Sequence, residues 1–190
     1  MPDARAAVEN ALLGITPWDD REHKDRCAAL AWVRSGTPIW RTAKPATPPE
    51  HLVSYFLLVD PARAGCLLVH HRNAGRWLPT GGHVEPGEDP EGTVRRECRE
   101  ELGVDAVLLA GLPANPFFVT RQVTGGVDAG HVDVSLWYVC EADASAPITP
   151  DPAEFHDARW WPLAEAAAAP PGTTDPNLAR FVAKLGAVIG

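Results

Sequence analysis

The sequence predicts an α/β protein with a helical extension at its N-terminus, and three observations predict it. Short apolar runs rich in β-formers occur at 51–60 (HLVSYFLLVD), 65–72 (GCLLVHHR) and 131–140 (HVDVSLWYVC). Helix-patterned segments alternate with them, most clearly at 89–103 (DPEGTVRRECREELG). A proline-rich stretch, TAKPATPPE at 42–50, separates two earlier helical segments from everything that follows. At 190 residues the chain suits one domain plus an extension, by a prior of roughly 150 residues per domain. The expected division is 1–50 for the extension and linker and 51–190 for the main domain.

Each element has its own signal. Residues 3–13 and 17–35 read as helices. In the second, Thr16 is the expected N-cap and Pro17 suits the first turn, with Asp19, Asp20 and Glu22 following. Its later part carries an apolar patch of Ala28, Ala29, Leu30, Trp32 and Val33, which must be covered by the main domain, a second subunit or a partner. A homodimer is one such cover. PARAG joins the strands 51–60 and 65–72 as a short connection. The Gly/Pro-rich WLPTGGHVEPGED (77–89) reads as a loop. Asp89 caps the helix at 89–103, Pro90 takes its first position and Gly103 ends it. Strands are expected at 104–112, 116–123 and 131–140, with a turn at 124–130. A long loop covers 146–154, a short strand or turn 158–163, and helices 163–169 and 176–189.

Composition excludes several functions. Lys plus Arg is 17 and Asp plus Glu is 25, a formal charge of -8. A protein that coats a nucleic acid polymer is normally basic. No apolar run reaches the roughly 18 residues of a membrane span. The first residues lack a signal-peptide apolar region, so a cytoplasmic location is expected. Cys27, Cys66, Cys98 and Cys140 stand singly in apolar segments, as small buried thiols do.

The chemistry lies between Gly82 and Val104. At about 100° per residue, Glu97, Glu100 and Glu101 share one helical face, while Val94, Cys98 and Leu102 form an apolar one and Arg95, Arg96 and Arg99 a basic one. Like charges three and four residues apart repel, and anions near a helix C-terminus oppose its dipole. Such a cluster wants cations. Three carboxylates beside a glycine loop suit hard divalent ions such as Mg²⁺ or Mn²⁺. Arg96, on the basic face, is expected to lie away from the acids.

Gly82, five residues, Glu88, seven residues, then RECREELGV (96–104) resembles the Nudix box, GX5EX7REUXEEXGU, where U is a bulky apolar residue. Every fixed position is met, with the smaller Cys98 at the first U. A chance match in a chain of this length is roughly one in ten million at ordinary residue frequencies. The lead-in WLPTGGHVEPGE and the order of strands extend the resemblance over about residues 51–163. It implies an α/β/α sandwich with a mixed β-sheet, the box forming a loop, a helix and a loop. It also implies that Glu97 and Glu101 ligate a divalent metal, Glu100 directly or through water, with the Gly81 carbonyl adding a ligand. Arg96 and Glu88 become an internal ion pair that supports the site. Where the family often has Pro before the glycine pair, this chain has Thr80, with Pro79 one residue earlier.

Outside the box, Glu154 resembles the late-loop acid that some relatives bring to the metals, with Asp157 its nearest rival. Arg72 resembles a basic position that contacts substrate phosphate. His83 follows the glycine pair and is placed to reach a phosphate. Of His70 and His71 at most one faces the site, because strand side chains alternate. His131 and Asp133 share a strand face compatible with the site. The general base stays open among Glu100, Glu101 and Glu154.

The resemblance implies a Mg²⁺-dependent hydrolase. Its substrate would be a small phosphorylated molecule, a nucleoside-diphosphate-linked compound or a nucleoside triphosphate. Two other readings are a non-catalytic nucleotide-binding sensor and an isopentenyl-diphosphate isomerase-like enzyme, which would want a Cys and a Glu in the pocket.

Overall fold

A computed structural model describes residues 4–44, 46–113, 115–124 and 130–189. Two N-terminal helices, α1 (Ala4–Gly14) and α2 (Asp20–Arg34), precede the strands β1 (Glu50–Asp60), β2 (Gly65–His71), β3 (Arg76–Leu78) and β4 (Thr80–His83). Helix α3 (Pro90–Leu102) follows, then β5 (Phe118–Val123), β6 (Val132–Glu141), β7 (Phe155–Pro162), α4 (Leu163–Ala167) and α5 (Leu178–Ile189). The strands form a seven-stranded sheet in the order β3-β2-β1-β6-β5, with β4 also on β1 and β7 also on β2. β1 and β6 are parallel and the other pairs antiparallel, so the sheet is mixed.

β1 is buried along almost its whole length because both faces of the sheet are covered. Leu52, Phe56 and Leu58 join Val8, Leu12, Ala29, Val33, Val94, Cys98 and Leu102 in one cluster. Leu57 and Val59 join Ala166, Leu178, Phe181 and Leu185 in the other. Helices α1, α2 and α3 thus contribute to one apolar layer, α4 and α5 to the second. This is the α/β/α sandwich expected.

The apolar patch on α2 is covered within the chain: Ala29, Leu30 and Val33 are buried in the first cluster, while Ala28 faces outward. The proline-rich stretch is tied down too. Leu52 N–H donates to the Ile39 carbonyl, and Val132 N–H donates to that of Pro49. Buried charges fasten α2 to the far helix. Glu22, fully buried, accepts from Lys184 Nζ at 2.8 Å, and Lys184 also donates to the Phe117 carbonyl at 2.6 Å. Burial pushes the Glu22 carboxyl up and the Lys184 ammonium down.

The start of α2 corrects the sequence reading. Asp19, not Thr16, is its N-cap, accepting from Glu22 N–H, and Pro17 lies before the helix. Asp19 is preferred because Arg180 holds it as well, through two bonds of 2.7 and 2.6 Å. Glu22 reaches back to Trp18 N–H, a variant of the capping box. Asp19→Ala is therefore expected to cost about 1–2 kcal/mol, the scale of a lost cap. The Arg180 guanidinium outweighs burial and holds Asp19 down at about 2, below its ordinary 3.8. A depressed carboxyl stabilises the fold above the ordinary value, and that contribution fades as pH falls from about 4 towards about 2. Chemical denaturation of wild type and Asp19→Asn should show their difference shrinking through that window.

Other corrections have local causes. Residues 104–112 are not a strand: they meet β6 through a single bridge, Leu108 to Cys140. Arg95 takes the Ala106 carbonyl at 3.2 Å, and the chain turns at Gly111 with φ 83°. The loop 77–89 contains the end of β3 and all of β4; β3 is only three residues long, and the glycines of β4 hide its strand character. The short strand at 158–163 is the longer β7, paired along β2 with an irregularity at His70/His71. Most of the 124–130 turn lies outside the described residues. Helix α3 matches closely, with Asp89 as N-cap, Pro90 at the start and Gly103 closing it at φ 69°. Cys66, Cys98 and Cys140 are buried, but Cys27 is exposed on α2.

Candidate active site

Strand register builds the floor of a cleft of about 910 Å³. Tyr55 on β1 lies beside Trp137 on β6 and Val53 beside Ser135, while Thr120 and Gln122 on β5 continue the rows towards the sheet edge. Alternation puts these residues on one face, and all of them line the cleft. Above the floor β4 carries the glycine pair along β1, and Arg41 and Lys44 from the N-terminal segment reach the same space.

The glycines are required by close approach. Gly81 has φ 150°, and a Cβ there would strike the Ser54 and Tyr55 backbone. A Cβ on Gly82 would run into the Glu97 carboxylate. The absent side chain lets Glu97 reach past β4 into the cleft. Ser54 Oγ, donating to the Pro90 carbonyl at 2.8 Å, ties the start of α3 to β1. Gly81→Ala must displace strand backbone, so it should lower both Tm and activity. Gly82→Ala meets only the end of a side chain, so it should weaken divalent-metal binding with a much smaller change in Tm. Calorimetric unfolding and metal titration of the two variants check the contrast.

Glu97, Glu100, Glu101 and Glu154 all line the cleft, from α3 and from the loop before β7. Glu101 is buried and accepts from Gly81 N–H at 3.2 Å. Burial, then the neighbouring Glu97 and Glu154 carboxylates, push it up to about 9. Glu97 is raised too, by burial, against the pull of Arg96. Glu100 is more exposed, 61% at its side chain. Glu154 is exposed at the rim, and Asp157, its rival, does not line the cleft.

Arg96 departs from expectation. It is not held away from the acids but lies at their hub. Its Nε and one terminal nitrogen each donate to Glu88, at 3.0 Å, and the other nitrogen reaches Glu97 at 2.6 Å and Glu100 at 3.2 Å. A helical-wheel angle describes where a side chain leaves the backbone, and a long guanidinium folds back towards the charges around it. Arg96 outweighs the effect of burial on Glu88 and, with Thr93, holds that carboxyl below its ordinary range.

The remaining sequence candidates are also at the cleft. Arg72 lies just beyond β2, donating through Nε to the Pro152 carbonyl at 2.8 Å, while its N–H donates to the Glu154 carbonyl. It thereby fastens the loop that carries Glu154. His71 lines the cleft and His70 instead stacks on Trp77, in agreement with the alternation argument. His83 also lines the cleft. Burial, then Arg41, push it down to about 3. Its Nε2 is 3.0 Å from that of His51, a fully buried residue that the sequence reading passed over. His131 and Asp133 lie beside them. The signal for His51 was its place two residues before Val53 at the head of a strand whose alternate residues face the cleft.

The donor set on the acidic face is oxygen-rich and short of positive charge once Arg96 has been counted, because Glu101 remains raised. Hard divalent cations suit carboxylate oxygens, so Glu97, Glu100 and Glu101 fit such an ion. Among the described residues, the contact seen at Gly81 is through its N–H on Glu101.

A mixed sheet between helical layers, with carboxylates drawn past a glycine pair into a cleft, defines the class. The NUDIX domain family model matches residues 49–185, and the chain belongs to that family. It is 33% identical over 111 residues to the NAD-capped RNA hydrolase NudC of Stutzerimonas stutzeri, covering 58% of this chain and 35% of that protein. It is 32% identical over 119 residues to the isopentenyl-diphosphate Delta-isomerase of Brevibacterium linens, covering 59% of this chain and 62% of that one. The matched region thus spans about a third of the first relative and less than two thirds of the second. In fold the chain is similar to a NUDIX-family hydrolase of Clostridium perfringens, with a TM-score of 0.56, 21% identity and coverage of 72% and 97% of the two chains. No helix among the described residues is long and apolar enough to cross a membrane.

Proposed function

We propose that this chain is a Mg²⁺- or Mn²⁺-dependent hydrolase of a phosphoanhydride bond. Its substrate is a nucleoside-diphosphate-linked compound or a nucleoside triphosphate, met in the cytoplasm. The observation that carries the reading is the burial of Glu101 beside Glu97 and Glu154, which pushes it up to about 9, in a cleft wide enough for a small phosphorylated ligand.

Glu97, Glu101 and Glu100 would hold the metal, with the Gly81 carbonyl as a further ligand. When bound, a divalent cation supplies neutralisation of diphosphate charge and acidification of water. Arg96, fixed by Glu88, orients Glu97 and keeps the acidic face from splaying. Glu154, at the rim and held by the Arg72 loop contacts, accepts the proton of the attacking water. Arg72, His83, Arg41 and Lys44 line the route of an anionic substrate and orient its phosphates. The fold of the N-terminal segment onto the 51–190 domain makes it part of the site, because Arg41 and Lys44 come from it.

The isomerase relative raises a second reading. That chemistry was expected to use a cysteine and a glutamate in the pocket. No cysteine is among the residues lining the cleft. Burial pushes the Cys66, Cys98 and Cys140 thiols up to about 12. Hydrolysis is therefore the reading favoured. A nucleotide sensor would not require the full carboxylate set.

The test is incubation with Mg²⁺ and a panel of nucleoside triphosphates, dinucleotides, nucleotide sugars and ADP-ribose, with products resolved by phosphorus NMR. Metal-dependent release of a nucleoside monophosphate or pyrophosphate from at least one compound is expected. Binding without turnover across the panel would favour the sensor.

A further inference from the structure

Besides the acidic face, the cleft is bordered by a second cluster of different chemistry. His51 and Asp133 are register partners on the parallel strands β1 and β6. His83, at the end of β4, is the register partner of Val53, two residues along β1 on the same face. His131 precedes Asp133 by two residues and so shares its face. Four side chains from three neighbouring stretches therefore meet, and the ligand atoms they offer all lie within 4.8 Å of one another.

The atoms that meet are imidazole nitrogens and a carboxylate oxygen. His51 Nδ1 is 2.8 Å from the Pro48 carbonyl. A carbonyl only accepts, so Nδ1–H donates there and the ring turns Nε2 inward. At His131 the Thr124 hydroxyl lies 3.1 Å from Nδ1 and donates to the His131 carbonyl at 3.2 Å, and the ring turns Nε2 towards Asp133. Asp133 Oδ1 lies 3.2 Å from His51 Nε2 and 3.3 Å from His131 Nε2. It is nevertheless buried and, among the described residues, has no hydrogen-bond partner. A buried carboxylate oxygen without a hydrogen-bond donor is costly, and a cation at this point would satisfy it.

We infer that His51, His83, His131 and Asp133 form a first-row transition-metal site of the Zn²⁺ type, separate from the carboxylates of α3. Three imidazoles and one carboxylate are the nitrogen-rich donor set that Zn²⁺ accepts and Mg²⁺ does not seek. Bond lengths near 2.0–2.1 Å in a tetrahedron place ligand atoms about 3.3 Å apart. The three shortest separations, 3.0 to 3.3 Å, match that spacing, and the set as a whole lies within 4.8 Å, so small side-chain movements would close it on an ion. The Pro48 carbonyl and the Thr124 hydroxyl are the outer partners that fix ring orientation, as such partners do around metal-bound histidines. The site stands next to the acidic face, because His83 follows Gly82 in β4. The inference does not depend on the hydrolase reading, and with the ion bound His83 serves the metal in place of substrate phosphate.

The experiment is equilibrium dialysis of the full chain against Zn²⁺ with excess Mg²⁺ present, followed by elemental analysis, and in parallel the visible spectrum of the Co²⁺-loaded protein. One Zn²⁺ retained per chain and the intense visible absorption of low-coordinate Co²⁺ with nitrogen ligands are expected. Asp133→Asn and His131→Asn should weaken Zn²⁺ binding by about tenfold to a hundredfold or more. Glu97→Gln/Glu101→Gln should leave it in place. Circular dichroism establishes that each variant is folded, and the Co²⁺ spectrum of the wild type stands as evidence should a variant fail to fold. A wild-type protein that retains no Zn²⁺ and gives only the weak spectrum of oxygen-ligated Co²⁺ would overturn the inference. So would Zn²⁺ lost with the double glutamine variant and kept with Asp133→Asn.

Discussion

Glu101→Gln is expected to lower kcat by about two orders of magnitude or more, the scale of losing a key electrostatic group in an active site. The substitution preserves shape. Glutamine keeps an oxygen to accept from Gly81 N–H, the contact that Glu101 makes at 3.2 Å. What it removes is charge, in a position where burial and the Glu97 and Glu154 carboxylates already oppose ionisation. The metal-free variant should therefore unfold at a temperature equal to or above that of the wild type. It should lose the extra stability that a divalent ion confers by binding the native state. Melting with and without Mg²⁺, alongside steady-state kinetics, separates a lost ligand from a damaged fold. Full turnover by Glu101→Gln would remove Glu101 from the metal-binding face.

Lys184→Met is expected to cost about 3–5 kcal/mol, because it leaves the Glu22 carboxylate buried without its cation. Glu22 accepts from Lys184 Nζ, from Trp18 N–H and, more distantly, from Val119 N–H. Two backbone donors do not replace an ammonium, and burial already pushes Glu22 up. The pair joins α2, α5 and the segment entering β5, so its loss should loosen the N-terminal helices from the sheet. Adding Glu22→Gln to Lys184→Met should recover a large part of the loss, since glutamine still accepts from Trp18 N–H and carries no charge. A double-mutant cycle in urea measures that coupling. Additive losses would mean that the two groups do not act on one another.

The box helix was legible because its determinants are local. Asp89, Pro90 and Gly103 mark its ends, and the periodicity of Val94, Cys98 and Leu102 sets its buried face, all within one stretch of chain. β4 was not legible, since Gly81 and Gly82 have little strand propensity and the strand is held by pairing with β1. The N-terminal extension looked separable on its prolines, yet Val8, Leu12, Ala29 and Val33 share a core with the sheet. Long-range burial decided that outcome, and no window of sequence contains it. The acidic face followed from helical spacing. The place of Arg96 among the acids did not, because a guanidinium reaches well beyond the point where it leaves the helix. His51, His83, His131 and Asp133 come together through the β1–β6 and β1–β4 registers, and register becomes visible only when the sheet is built.

The proposed reaction is attack of water on phosphorus in a phosphoanhydride held in this cleft. Turnover of the best panel substrate with Mg²⁺ in oxygen-labelled water, read by the phosphorus NMR shift of the products, tests it most directly. One labelled oxygen on a phosphate of one product and none on the other is expected. Product formation with no label on either phosphate would contradict it.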